Sequence, residues 1–304
     1  MKPTVTIGIP CYNAGRWIES CVRSALAQDW PEKELIVVDD GSTDASLEIL
    51  RGFSSDIRLV EGGHRGSNHA RNEVLRLARG EWVQFLDADD YLQPEKISHQ
   101  FAEAPEAEAI YSPVWIEDAI NNSREVSAID PLFDIYQQWL AWQMPQTGGC
   151  LWRKSALEKI GGWNEAQPCC QEHELYLRAL KGGVRFSFAP TPNAVYRIWS
   201  KETLCRRDPR QVVSVKTALM EDLQTWMSGL GLWQQRHIDT AAQAFFEMSR
   251  TLAKFDLAEA TVYHAAHKRD NLINATGPAA PAAYRLIYNV LGFFSAEKIA
   301  RILR

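Results

Sequence analysis

"FLDADDYLQP", residues 85–94, is the stretch from which the rest of this chain can be read. A largely apolar run, Trp82 to Leu86, stops abruptly at three carboxylates, Asp87, Asp89 and Asp90. Like charges this close repel one another, and each loses hydration if partly buried. A bound cation would resolve the conflict. A solvated loop, where Asp is common beside strands, would avoid it. The surrounding sequence weighs between the two.

Working outward, the first hundred residues alternate strand-like and helix-like segments. "TVTIGIP" reads as a buried strand ended by Pro10, and "GRWIESCVRSALAQ" puts Ile18, Cys21, Val22, Ala25 and Leu26 on one helical face. "ELIVVDD" is a second buried strand, followed by a turn and helix for which Ser42, Thr43 or Asp44 could serve as cap. "IRLVE", the helix "SNHARNEVLRLARG" and the strand "EWVQFLD" continue the alternation. Strand and helix in turn, with short links, predict a mainly parallel sheet covered by helices on both faces. Ligands of such sheets sit outside the carboxyl ends of the strands. "PCYN", "DDGSTD" and "DADD" all fall at that edge. A solvated loop explains one polar cluster well and three at one edge poorly, so a ligand site is the better reading.

Beyond Pro94 the pattern loosens. "AIYSPVWIED" reads as one strand, 124–145 is Trp-rich and without clear form, and "KSALEKIGGW" is a short helix stopped by Gly161 and Gly162. "QEHELYLRALKGG" is a helix, "AVYRIW" a strand, and the chain is helical from about Pro209 with one break at "ATGPAAPAA". The expected domains are 1–208, divided at about 110, and a helical extension over 209–304.

Composition excludes several classes. The chain has 304 residues, 46% hydrophobic and 23% charged, with a formal net charge of -5, which argues against a general nucleic-acid binder. Six cysteines (Cys11, Cys21, Cys150, Cys169, Cys170, Cys205) show no C-x-x-C spacing, so neither a disulfide framework nor a zinc ribbon is expected. No apolar run is long enough for a spanning helix, and the expected location is the cytoplasm. "YRLIYNVLGFFSAEKIARILR" combines apolar residues with Arg285, Lys298, Arg301 and Arg304. Such a helix suits the inner face of a membrane, the domain itself or a second subunit. "HAAH", His264 to His267, lacks a third ligand nearby and reads as structural rather than zinc-binding.

D-x-D at a strand end has a direct use. Mg²⁺ and Mn²⁺ take one or two carboxylates together with substrate phosphates, and the ion stabilises negative charge as a diphosphate departs.

The ordered run "IGIPCYNAGRWIESCVRSALAQ … ELIVVDDGSTDAS … GSNHARNEVLRLARGEWVQFLDADDYLQP" closely resembles the family 2 glycosyltransferases, continuing through "GGCLWRKSALEKIGGWNEAQPCCQEHELYLRALKGG" to about residue 205. The resemblance implies a GT-A fold (Rossmann-like, mainly parallel sheet flanked by helices, here with a helical C-terminal extension). It implies inverting transfer of a sugar from a nucleotide-diphosphate sugar, usually a UDP-sugar, to a hydroxyl acceptor such as a sugar or lipid-linked glycan, with Mn²⁺ or Mg²⁺, in cell-surface glycan or polysaccharide synthesis. Pro10, Tyr12 and Asn13 match the first nucleotide-binding loop. Asp40, with Asp39 beside it, matches the acid that accepts a hydrogen bond from the base. Arg71 and Asn72 match a donor-site element, and Asp87 and Asp89 the metal-binding D-x-D. Asp90 matches a further acid that orders the loop or the donor sugar. On this resemblance, residues 1 to about 110 are the nucleotide-binding part and 111–208 the acceptor part, where Trp139, Trp142 and Trp152 are candidates for stacking on sugar rings, although core packing is the commoner work of Trp.

Family members often carry Glu-Asp at the opening of a helix. Gln171 and Glu172 stand there, making Glu172 the candidate base one methylene longer than the usual Asp; the bland alternative is an acid stabilising a first helical turn. A third metal ligand, commonly His, would fall where Trp199 stands, and Arg197 matches a residue that can touch the diphosphate. Two rivals are weighed against this reading. A sugar-phosphate nucleotidyltransferase would need a Gly-rich basic loop after the first strand, which "PCYNAGRW" is not. The alternative is a catalytically silent nucleotide-sugar-binding or assembly protein, against which both D-x-D acids and a carboxylate at the base position argue.

Overall fold

The computed structural model describes residues 2–104, 106–200 and 208–303. Two compact units are present, Met1–Ile129 with Met144–Lys201, and Asp130–Gln143 with the C-terminal helices. Asp130–Gln143, placed by its sequence position in the acceptor part, therefore groups with the helical extension.

The first unit is built on β1 (Val5–Cys11), β2 (Lys33–Asp39), β3 (Arg58–Glu61) and β4 (Trp82–Phe85), with helices α1 (Ile18–Leu26), α2 (Ser46–Arg51) and α3 (Ser67–Leu77) between them. All seven residues of β1 are buried, as expected of a central strand covered on both faces. β1 pairs in parallel with both β2 and β4. It runs through Pro10 to Cys11, in register with Val38 and Asp39, rather than ending at the proline. Helix α3 lies so close to β1 that a Cβ on Gly8 would stand 2.2 Å from Val74 Cγ1, and only glycine fits there. On α1, Ile18, Cys21, Val22 and Ala25 are buried, the expected face.

The chain continues through β5 (Tyr91–Leu92), α4 (Lys96–Glu103), β6 (Ala109–Tyr111), β7 (Trp115–Asp118) and β8 (Ser123–Val126), then α5 (Ile135–Leu140) of the second unit. It returns with β9 (Cys150–Arg153), α6 (Lys154–Lys159), α7 (Gln171–Lys181), β10 (Phe186–Phe188) and β11 (Ala194–Ile198). A seven-stranded sheet has the order β10-β6-β9-β4-β1-β2-β3, and a four-stranded sheet the order β5-β11-β7-β8. β9 is antiparallel to both β4 and β6, so the sheet is mainly and not wholly parallel. "AIYSPVWIED" is two strands, one in each sheet. Pro113, with no N–H to offer a ladder, lies in the crossing between them.

Among the described residues, the second unit holds α5 and four further helices, α8 (Pro209–Gly229), α9 (Gln235–Ala253), α10 (Leu257–Arg269) and α11 (Ala282–Ile302). Asp134 caps α5 in a capping box with Gln137 and pairs with His237 (3.0 Å) and Arg236 (2.8 Å) on α9. His264 bonds the Tyr288 hydroxyl at 3.0 Å and His267 the Tyr263 carbonyl at 2.9 Å, the structural role expected of "HAAH". Burial pushes the His264 imidazole down to about 4. Helix α11 breaks at Gly292, φ 75°. It leaves Leu286, Val290, Leu291 and Phe294 exposed; Arg304 lies outside the described residues.

Among the described residues, Cys11, Cys21, Cys150, Cys169 and Cys170 are buried and form no disulfide; Cys205 lies outside them. No helix among the described residues is long and apolar enough to cross a membrane.

Candidate active site

The candidate residues come from the carboxyl edge of β1, β2 and β4, from α3, from the opening of α7 and from the end of β11. The first two loops are tied together before any ligand enters. Asn13, in left-handed conformation (φ 48°), receives the Thr43 N–H on its side-chain oxygen at 2.8 Å, and its own N–H reaches Ser42 Oγ at 2.9 Å. The Gly15 N–H donates to Asp44 at 2.9 Å, and Asp44 also receives the Ser46 N–H, so Asp44 closes the start of α2. Tyr12 is exposed beside this tie, its ring 4.4 Å from that of His64. Pro10 lies buried within β1.

Asp39 and Asp40 are both buried but are used differently. Asp40 accepts the N–H of Arg65 on one oxygen and of Gly66 on the other, each at 2.7 Å, holding the approach to α3. Gly66 has φ 100°, which favours glycine there. Asp39 accepts the Ser42 N–H on Oδ2 at 3.0 Å, while its buried Oδ1 has no hydrogen-bond partner.

Arg71, buried on α3, is the hub. Its Nη2 donates to Asp87 Oδ1 at 2.7 Å, and its Nη1 to Asn68 Oδ1 at 3.0 Å and Gln171 Oε1 at 3.1 Å. Its guanidinium stacks on Trp163, 4.5 Å from the ring centroid. Burial opposes the charge, but Asp87 first and Glu172 next raise its proton affinity. Arg71 thus joins the "DADD" loop to the opening turn of α7. There, Thr147 Oγ1 donates to Glu172 Oε1 at 2.6 Å. Asn72, the next residue, faces elsewhere: its amide bonds the backbone of Trp163 at 2.9 and 2.8 Å and Glu165 at 3.0 Å, fastening the loop before α7.

The carboxylates themselves are held by the end of β11. The Arg197 N–H donates to Asp90 Oδ1 at 2.8 Å, Arg197 Nη1 to the Asp89 carbonyl at 3.2 Å, and Trp199 Nε1 to Asp89 Oδ2 at 2.8 Å. The Arg197 guanidinium lies over Tyr91 and Trp17. Burial first, and then repulsion by Asp87, raise the Asp89 carboxyl above its ordinary range. Burial, then Asp89 and Asp87, push Asp90 well above it. The conflict read from "DADD" is therefore present in the folded chain. Hard oxygen donors in mutual repulsion suit Mg²⁺ or Mn²⁺. Among the described residues no three His, Cys, Asp or Glu form a ready-made metal cluster, so phosphate and water oxygens would have to complete any coordination.

Position in the chain had pointed to Asp87, Asp89, Asp90, Arg71, Arg197 and Glu172. It had not pointed to Thr147 or His64 as neighbours of these groups, and no local signal marks them. Trp139 and Trp152 are buried in the cores of their units, which removes them as sugar-stacking surfaces; Trp142 lies under Lys216, 3.9 Å from its ammonium.

The sheet thus carries carboxylates at the end of β4, tied by an arginine to an acid-bearing helix. Residues 6–161 match the pattern described as glycosyl transferase family 2, and the chain belongs to that family. A chondroitin synthase of Escherichia coli is 39% identical over 98 residues, 31% of this chain and 14% of that protein. The chain thus matches well under two thirds of such relatives' length. Across 99% of the chain the fold is similar to that of S. aureus TarS 1-349 in complex with UDP-GlcNAc, with TM-score 0.68, 18% identity and 92% of that chain covered. It is also similar to the mannosyltransferase PcManGT from Pyrobaculum calidifontis in complex with GDP-Man and Mn²⁺, with TM-score 0.57, 19% identity and 88% of that chain covered. At these identities the likeness is one of fold, the GT-A fold.

Proposed function

We propose that this chain transfers a sugar, with inversion, from a nucleotide-diphosphate sugar to a hydroxyl of a growing glycan. The observation that carries the reading is the Arg71 bridge from Asp87 to Gln171, which sets Glu172 beside the carboxylate loop. Inverting transfer needs a proton acceptor across the sugar from the leaving diphosphate, and we assign that role to Glu172. Thr147 fixes one oxygen of Glu172, so the carboxylate is oriented before an acceptor hydroxyl arrives. Asp87 and Asp89 would hold Mn²⁺ or Mg²⁺, which when bound neutralises the diphosphate and stabilises the charge that grows on it.

For the nucleotide, we read Tyr12 and His64 as ring surfaces for the base and the unpartnered Asp39 Oδ1 as its acceptor, with Asp40 shaping the loop that carries His64. Asp90 and Arg197 brace that wall of the site through their mutual bond. The relative named chondroitin synthase and the two solved structures with nucleotide sugars support donor class and polysaccharide setting; a UDP-sugar is the first donor to try. The test is metal-dependent hydrolysis or transfer of UDP-sugars by wild type and Glu172→Gln. Turnover in the wild type, lost in the variant while donor binding persists, supports the enzyme. Donor binding without any turnover in the wild type would instead favour a nucleotide-sugar sensor.

A further inference from the structure

Trp199 follows β11 directly, and the residue is 43% exposed, so burial alone does not fix where it sits. Its indole N–H donates to Asp89 Oδ2 at 2.8 Å, and its ring meets Trp17 at 6.1 Å, tilted 47°. Two residues earlier, Arg197 bonds Asp90 through its backbone and the Asp89 carbonyl through its side chain. One short run therefore aims three N–H groups at the Asp89–Asp90 pair. Indole is a donor only, so this contact has one sense: it holds Oδ2 of Asp89 and leaves Oδ1 outside the bond. A carboxylate presented to a hard cation gains affinity when a donor on its other oxygen fixes the rotamer.

We propose that Trp199 is a positioning residue that holds Asp89 in the orientation needed to receive a divalent cation. This rests on Asp89 being a cation ligand, as read above. Trp17 supplies the ring that steadies the indole, and Arg197 the backbone anchor that fixes the approach. A phenylalanine at 199 would keep the ring contact and lose the N–H.

The test is Mn²⁺ binding to the full chain, followed by electron paramagnetic resonance of the free ion, alone and with UDP or GDP present. Wild type, Trp199→Phe and Asp89→Asn are compared, with metal-free nucleotide affinity and Tm measured alongside. Trp199→Phe should bind Mn²⁺ about 10–100-fold more weakly, with metal-free nucleotide affinity and Tm unchanged. Trp17→Leu, which leaves the indole N–H at 199 in place, should lose less. Mn²⁺ binding by Trp199→Phe equal to wild type, while Asp89→Asn loses it, overturns the role of Trp199 and leaves Asp89 standing. A parallel loss of metal-free nucleotide affinity in Trp199→Phe makes the residue merely structural and also overturns it. Wild-type affinity in Asp89→Asn removes the cation ligand itself, and this inference with it.

Discussion

Arg71 Nη2 lies 2.7 Å from Asp87 Oδ1, and the same guanidinium reaches Gln171 at 3.1 Å. With the Arg71 side chain 5% exposed and that of Asp87 24%, the pair is mostly withdrawn from water. Removing one partner of such a pair leaves a charge without compensation. Arg71→Ala should destabilise the fold by about 3 kcal/mol, the low end of what broken buried pairs cost, because Asp87 keeps some water. Arg71→Lys should recover part of that stability but little turnover, since an ammonium cannot span Asp87 and Gln171 as a fork does. Denaturant unfolding of Arg71→Ala, Asp87→Asn and the double variant gives the coupling; additive effects would remove the bridge from the argument.

The two acids after β2 should separate stability from binding. Asp40→Asn replaces one oxygen by an N–H donor facing another donor, and should lower stability by about 1.5 kcal/mol as the Arg65–Gly66 turn loosens. Asp39→Asn should leave stability equal or higher, because its Oδ1 is already unpartnered, yet weaken UDP about ten- to a hundredfold. Calorimetry on both variants decides. Full UDP affinity in Asp39→Asn would return the base-reading role to Asp40.

Glu172→Gln should still bind donor and metal, because those contacts lie on other segments, while transfer falls roughly 10²–10⁴-fold. Thr147→Val should cost less, about tenfold, by loosening one oxygen of the carboxylate. Glu172→Asp should retain some activity if the helix can bring the shorter side chain into reach. A stably folded Glu172→Gln with near-normal turnover would rule out this base.

Lys96 offers a stability test remote from the chemistry. It is 1% exposed, its Nζ has no hydrogen-bond partner, and burial pushes its ammonium down to about 7. In the unfolded chain the same group titrates near 10.4, so between about 7 and 10.4 the unfolded state binds the extra proton. Stability should therefore rise with pH across that window, and below it the folded protein carries the full cost of a buried charge. Lys96→Met should remove this slope. The variant should exceed wild type by a few kcal/mol at pH 6.5, on the order of one kcal/mol per pH unit, with the advantage shrinking toward pH 10. Parallel stability–pH curves for the two proteins would show that Lys96 does not titrate in the fold.

The alternation of apolar runs with helical faces was enough to place β1 to β4 and the helices between them. Burial on both faces leaves few polar positions inside such strands, and the polar clusters must then collect at their ends. That is why Asp39, Asp40, Asp87, Asp89 and Asp90 stood out from the sequence. What the chain pattern could not carry was direction and partnership. Apolar periodicity needs a longer run than the four residues of β9 to mark a strand, and it records burial and not strand polarity, so β9 and the passage of Ile110 to Glu117 from one sheet to the other were invisible. Arg71 meets Gln171 across 100 residues, Thr147 meets Glu172 across 25, and Trp199 meets Asp89 across 110. Those contacts depend on where separate strands end in space, and side-chain hydrogen bonds, effective over about 3 Å, exist only once the sheet has brought the ends together.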